Sequence, residues 1–224
     1  MKGKVYFVTG IDTSIGKTYA TGMISRALLD AGKDSITQKM VQTGCEDISE
    51  DLEVHRKLEG RGFLPEDDAR VTAPYIYHYP CSPHMAAEME HRPIDLNVVT
   101  AATEKLRENH EYVLVEGAGG LMVPLSMDVM SIDYAKANNY PVILVTSGRL
   151  GSINHTVLSM HACRTYGIEV KAVVFNLYPV LDNLITNNTL VYLRSYLAKE
   201  FPTTALLMLP EAGKGGVEGI EAIF

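Results

Sequence analysis

Val5-Tyr6-Phe7-Val8-Thr9-Gly10-Ile11-Asp12-Thr13-Ser14-Ile15-Gly16-Lys17-Thr18 is the stretch on which the fold reading turns. Its first four residues form a short, continuous, β-rich apolar run, the pattern of a strand covered on both faces. A glycine-flanked loop follows, and residues 17–31 then place Ala20, Met23, Ile24, Ala27 and Leu28 on one helical face before stopping at Gly32. Strand, glycine loop and helix in that order describe a phosphate-binding loop. Its glycines let backbone N–H groups converge on phosphate oxygens, and the helix N-terminus adds partial positive charge. Lys17 is expected to reach the outer phosphates, and the Thr18 hydroxyl to coordinate Mg²⁺. Five residues separate Gly10 from Gly16, one more than the usual pattern.

Outward from this unit, similar apolar runs recur at Tyr112 to Val115, Val142 to Val145 and Val170 to Phe175. A weaker one, Ala205 to Leu209, ends at Pro210, and a second strand is expected to end at Lys39. Between the runs lie helical patterns: Asp95 caps a helix through about Asn109 with Val98, Val99, Ala102 and Leu106 as its stripe, and others fit 131–138, 151–166 and 184–199. Alternating strands and helices predict an α/β fold of three layers, a mostly parallel sheet with helices on both faces. Residues 40–94 read as loops and short helices, so 1–224 is expected to form a single domain. The closing segment, with Gly213, Gly215, Gly216 and Gly219, is expected to be mobile or ordered by a ligand.

Composition narrows the function. With 46% hydrophobic and 21% charged residues the chain has the makings of a packed core. A net charge of −7 without a Lys/Arg cluster argues against nucleic acid as a partner. Cys45, Cys81 and Cys163 are odd in number and widely spaced, so neither a zinc site nor a disulfide framework is suggested. No stretch reaches membrane-spanning length, and Val5 to Val8 is too short for a signal-peptide core, so a cytoplasmic location is expected.

Two further positions bear on chemistry. Val115-Glu116-Gly117-Ala118-Gly119-Gly120 follows a buried strand and should emerge at the same carboxyl edge as the first loop. Glu116 there could hold Mg²⁺ near phosphates, or could be a surface loop charge. Lys39, in Thr37-Gln38-Lys39-Met40-Val41-Gln42-Thr43-Gly44, favours the same edge, but a solvated lysine fits its spacing equally. Asp51 sits among Glu46, Asp47, Glu50 and Glu53, a run that an acidic surface also explains. His84, after Ser82-Pro83, reads as a helix-start residue and His155 as a helix surface residue.

Taken together and in this order, the long loop Thr9 to Thr18, the Lys39 to Gly44 segment, Ser82-Pro83-His84, Glu116 to Gly120 and Gly148 to His155 resemble the dethiobiotin synthetase family. The resemblance runs from residue 4 to about 211, and the five-residue glycine spacing is itself a feature of that family. It implies a P-loop enzyme using ATP and Mg²⁺ to convert 7,8-diaminononanoate and CO₂ into dethiobiotin. Lys17, Lys39 and Thr13 would be catalytic. Ser14, Ile15, Gly16, Lys17, Thr18, Tyr19, Gly117, Ala118, Gly119, Asn176 and Pro210 would bind nucleotide, with Thr18, Asp51 and Glu116 as metal ligands. Thr13, Lys39, Thr43, Gly148, Gly151, Ser152, Ile153 and Asn154 would bind substrate, the last group from the partner subunit of a homodimer. Met40 stands where the family usually has Pro, Thr43 where some members have Ser, and Ser14 where some have an acid; Glu50 or Glu53 could replace Asp51.

Two rival classes differ in sequence. An amidoligase would need a glutamine-hydrolysing unit, for which 224 residues leave no room. A nucleotide-switch ATPase of the partitioning type carries a signature lysine five residues before the Gly-Lys-Thr lysine, where this chain has Asp12.

Overall fold

The computed structural model describes residues 2–223. The opening stretch becomes β1 (Lys4–Gly10) and α1 (Lys17–Asp30). There follow β2 (Ser35–Lys39), β3 (Gln42–Thr43), α2 (Glu50–Glu59), α3 (Pro65–Asp68), β4 (Ile76–Tyr77), α4 (Pro83–Met89) and α5 (Leu96–Asn109). The second half holds β5 (Tyr112–Gly120), α6 (Ser131–Ala137), β6 (Val142–Ser147), α7 (Ser152–Tyr166), β7 (Val170–Asn176), α8 (Asn183–Glu200) and β8 (Ala205–Leu209), with a 3-10 turn at Ile220–Ile223.

The main sheet runs β2-β5-β1-β6-β7-β8, and every neighbouring pair is parallel. All its carboxyl ends therefore lie on one edge, and β1, between β5 and β6, delivers the glycine loop to the middle of that edge. Successive side chains of a strand face opposite ways, so each strand feeds two cores. Val5 and Phe7 pack with Val113, Val115, Val99, Leu106 and Tyr134 on one face, while Tyr6 and Val8 pack with Leu114, Ile24 and Leu28 on the other. Two apolar faces explain why the strands read as unbroken apolar runs. The sheet and its two helical layers are the α/β architecture expected from the sequence.

Three local expectations change. In 40–94 the chain adds a two-stranded parallel ribbon of β3 and β4, and α2 packs closely on α1. A Cβ at Gly22 would lie 2.6 Å from Leu58 Cδ1, so α1 needs a glycine to let α2 approach. On α5 the buried stripe is Val99, Thr103 and Leu106, whereas Val98 is 47% exposed. Thr103 earns its buried place by donating to Gln38 Oε1 at 2.6 Å, which an apolar stripe could not reveal. The tail is also packed rather than loose over residues 217–223. Val217 and Ile223 are buried beside Leu207 and Leu209, Met208 and Glu218 exchange backbone hydrogen bonds, and Tyr6 Oη donates to Ile223 O at 2.9 Å. Among the described residues no helix is long and apolar enough to cross a membrane.

A buried charge cluster ties α2 and α3 to β2. Arg56 grips Asp67 through Nε and Nη2, both at 2.8 Å, and donates to Glu59 Oε2 at 2.8 Å and Thr37 Oγ1 at 2.9 Å. Burial alone would raise the Asp67 carboxyl, but Arg56 and the Thr72 hydroxyl outweigh it and hold the group below the usual carboxylate range. Such a carboxyl contributes stability that is complete above its unfolded pKa, about 3.9, and is lost as pH falls through the lower folded value. The urea midpoint is therefore expected to drop as pH is lowered below about 4. Asp67→Asn should cost about 3 kcal/mol at neutral pH, because it leaves Arg56 buried with an incomplete partner set. An unchanged midpoint for Asp67→Asn at pH 7 would contradict this account of the α2–α3 anchor.

Candidate active site

Lys39 and Glu116 are register partners on the adjacent strands β2 and β5. Both are buried, Lys39 to 5% exposure and Glu116 to 0%. Lys39 Nζ donates to Glu116 Oε1 at 2.8 Å and to Gly117 O at 3.3 Å, and it also forms an ion pair with Asp51 from the first turn of α2. Thr18 Oγ1, at the start of α1, lies 3.0 Å from Asp51 Oδ1 and 3.1 Å from Glu116 Oε1. The other carboxylate oxygen, Glu116 Oε2, is 2.9 Å from His55 Nε2.

Charge pairing outweighs burial in this group. Burial by itself would push Lys39 down, but Glu116 and Asp51 hold it above the ordinary lysine range. Burial would likewise raise Glu116, yet Lys39 and His55 keep it far below the usual carboxylate range. Lys17 has the opposite fate: burial lowers its pKa, and the nearby charge of Lys39 adds to that. Its Nζ donates to Asp12 O at 3.0 Å, so the glycine loop curls around its own lysine.

The loop is tight at both glycines. A Cβ on Gly10 would stand 2.5 Å from Ile15 Cγ2, and Gly16 has φ 96° with a Cβ site 2.4 Å from Asn176 Nδ2. Asn176, closing β7, donates from Nδ2 to Ile15 O at 3.0 Å and accepts the Tyr178 N–H on Oδ1 at 3.0 Å. Each end of that amide keeps one more hydrogen-bonding position. Thr13 and Ser14 are exposed at the loop crest, Ile15 is buried beneath it, and Tyr19 is half-buried on α1. Asp12 pairs with Arg149, which joins this loop to the one before α7.

The structure thus gathers Lys17, Thr18, Lys39, Asp51, Glu116 and Gly117 at one edge, with Ala118 and Gly119 continuing β5 and Pro210 just past β8. Within the acidic run, Asp51 turns inward while Glu50 and Glu53 are exposed. Thr43 lies on the small β3 ribbon. Gly148 is packed against Thr186, and Gly151 caps α7 at φ 92°. Ser152 is buried at the first position of α7, while Gly151, Ile153 and Asn154 line a different groove with Leu158, Leu184 and Tyr192 from α7 and α8. His84 starts α4 as expected, although Ser82 makes no side-chain cap bond, and His155 is exposed on α7. The three cysteines are unpaired, and burial pushes the Cys163 thiol up to about 12.

His55 was not among the residues the sequence singled out. It lies four residues after Asp51 on α2, the spacing that puts two side chains on one helical face. That signal was available only once 50–59 was read as a helix. The donor set suits a small hard cation: the Thr18 hydroxyl lies within 3.1 Å of two carboxylates, Asp51 and Glu116, beside a loop of backbone N–H groups. Mg²⁺ takes such oxygens and completes its shell with phosphate oxygens and water.

A family profile described as an AAA domain matches residues 4–212. The chain is 54% identical over 183 residues to the ATP-dependent dethiobiotin synthetase BioD 2 of Haemophilus influenzae, covering 82% of this chain and 96% of that protein. It is 50% identical over 201 residues to the enzyme of the same name from Pasteurella multocida, covering 90% and 94%. Chlorobaculum tepidum has an ATP-dependent dethiobiotin synthetase BioD that is 46% identical over 189 residues, covering 84% and 79%. Among solved structures, chloroplast FtsY from Physcomitrella patens superposes with a TM-score of 0.58 at 16% identity, over 100% of this chain and 66% of that one. The pNOB8 ParA bound to nonspecific DNA gives 0.52 at 12% identity, over 90% and 78%. These two likenesses show the P-loop fold alone, whereas the sequence relatives fix the kinship: the chain belongs to the ATP-dependent dethiobiotin synthetase family.

Proposed function

We propose that this chain closes 7,8-diaminononanoate and CO₂ into dethiobiotin at the expense of ATP, as one catalytic domain in the biotin pathway. The observation that carries this reading is the buried Lys39–Glu116 pair, with Asp51 and Thr18, set directly beside the Lys17 loop. A carbamate and a triphosphate are both anionic, and bringing them together needs fixed cations in a site shielded from water.

The reaction divides into three steps. One substrate amine attacks CO₂ and loses a proton, giving a carbamate. A carbamate oxygen then takes the γ-phosphoryl group, ADP leaves, and a carbamic-phosphoric anhydride results. The neighbouring amine attacks that carbonyl carbon, phosphate departs with its electron pair, and the amine loses a proton as the cyclic urea closes. In this reading Lys17 binds the phosphates, Lys39 faces the carbamate and the transferred phosphoryl, and Thr13 and Thr43 contact the substrate. Ser14 to Tyr19, Gly117, Ala118 and Gly119 cradle the nucleotide, and Asn176 with Pro210 takes the base. Thr18, Asp51 and Glu116 would hold Mg²⁺, which when bound supplies charge neutralisation at the phosphates.

The substrate carboxylate is assigned to Gly148, Gly151, Ser152, Ile153 and Asn154 of a second copy. Support for a homodimer is the apolar surface around that segment: Leu150, Leu158 and Leu184 are 83%, 61% and 81% exposed along a groove of about 820 Å³. Exposed apolar area of this size gains about 25 cal/mol per Å² when covered. Unpaired cysteines and a catalytic chemistry of soluble metabolites favour the cytoplasm.

Phosphate release from MgATP and bicarbonate should depend on 7,8-diaminononanoate, with dethiobiotin detected by mass spectrometry; release indifferent to the diamine would overturn the assignment. Lys39→Ala should lower kcat by about 10²–10³, roughly 3–4 kcal/mol, since its charge matters most as the phosphoryl moves. Wild-type turnover in that variant would remove Lys39 from the mechanism. Leu184→Glu should give a monomer by light scattering and lose activity with it. A fully active monomer would show that each chain carries a complete site.

A further inference from the structure

His55 is a buried polar group that this mechanism leaves unused although it touches Glu116. The side chain is 0% exposed, and both ring nitrogens are engaged: Nε2 with Glu116 Oε2 at 2.9 Å and Nδ1 with Thr37 Oγ1 at 3.1 Å. The neighbours constrain the direction of each bond. A guanidinium only donates, so Arg56 Nη1, 2.9 Å from Thr37 Oγ1, uses a lone pair of that hydroxyl. The single hydroxyl proton of Thr37 is thereby free to point at Nδ1. At the other end, an ionised carboxylate only accepts, so the Nε2 proton belongs to the bond with Glu116. Asp67 and Glu59 hold Arg56 in turn, each by bonds of 2.8 Å. With the ring proton on Nε2 and Nδ1 left as an acceptor, the hydrogen bonds run one way, from Arg56 through Thr37 and His55 to Glu116.

We propose that His55 is a positioning residue that pins Glu116 through Oε2 and so aims Oε1 at Thr18 and Lys39. This rests on Glu116 serving the metal–nucleotide site, and it adds the buried relay as the device that sets the carboxylate's rotamer. A carboxylate bound on Oε1 alone could swing about its terminal torsion, which is broad for Glu. With both oxygens held, the Oε1 lone pairs stay directed at the nucleotide edge before any ligand arrives. Partners of this kind behind a metal ligand are typically worth about 10–100-fold in metal affinity.

The test is binding of Mn²⁺ to the full chain with a non-hydrolysable ATP analogue, read as loss of free Mn²⁺ signal by electron paramagnetic resonance. His55→Leu keeps the bulk and removes the donor, and is expected to weaken Mn²⁺ about 10–100-fold. His55→Gln presents an amide N–H near the Nε2 position and should recover most of that loss, which a space-filling role would not predict. Thr37→Val leaves His55 in place but removes the hydroxyl that orients it, and should weaken Mn²⁺ by about tenfold. It carries the test alone if His55→Leu does not fold. Wild-type Mn²⁺ affinity in folded His55→Leu or Thr37→Val, or equal losses in His55→Leu and His55→Gln, would overturn the proposal. A wild-type chain that binds no Mn²⁺ with the nucleotide analogue would instead overturn the metal-site reading beneath it.

Discussion

Everything at the active edge is arranged around two opposite charges buried side by side on neighbouring strands. Lys39 and Glu116 are register partners of β2 and β5, and taking either ion from water alone would cost several kcal/mol. Each is tolerable only because the other is there, with Asp51, Thr18 and His55 filling the remaining hydrogen-bonding positions. The strand register matters more than any loop in this respect. Sliding β2 by one residue would turn Lys39 to the opposite face of the sheet and leave Glu116 unpaired.

The rest of the fold sets that pair beside the glycine loop. A wholly parallel sheet gathers its strand ends on one edge, and the central β1 delivers the glycine loop there. β5 supplies Glu116 on one side of β1, while β6 on the other leads through Arg149 to the α7 segment that faces the outer groove. Asp51 and His55 arrive from α2, which can lie close to α1 because Gly22 has no side chain. The Arg56–Asp67–Glu59 cluster fixes α2 from behind, and through Thr37 and His55 it connects with the charges at the sheet edge.

Much of this was legible in the sequence because buried parallel strands carry continuous apolar runs, and glycine loops need particular residues at particular places. Val5 to Val8, Tyr112 to Val115, Val142 to Val145 and Val170 to Phe175 all lie in strands of the main sheet. Helix α2 was illegible for a physical reason. Its inward face is Asp51, Leu52, His55, Arg56 and Glu59, mostly polar, so no apolar stripe marks it, and its acidic first turn looks like solvated surface. The same blindness to buried polar groups hid Thr103 on α5 and His55 at the site. Of the glycine-rich tail, residues 217–223 dock against β8 through Val217 and Ile223, which the glycines around them gave no sign of, while Gly213, Gly215 and Gly216 are exposed.

The central claim is that Lys39 and Glu116 act as one unit, and a double-mutant cycle measures that directly. Lys39→Met, Glu116→Gln and the double variant would be compared with the parent chain in kcat/KM for diamine-dependent phosphate release. Coupled residues give a double variant little worse than either single one, an interaction energy of about 2 kcal/mol or more. If the two losses simply multiply, the buried pair is not a unit, and the account of the site built on it fails.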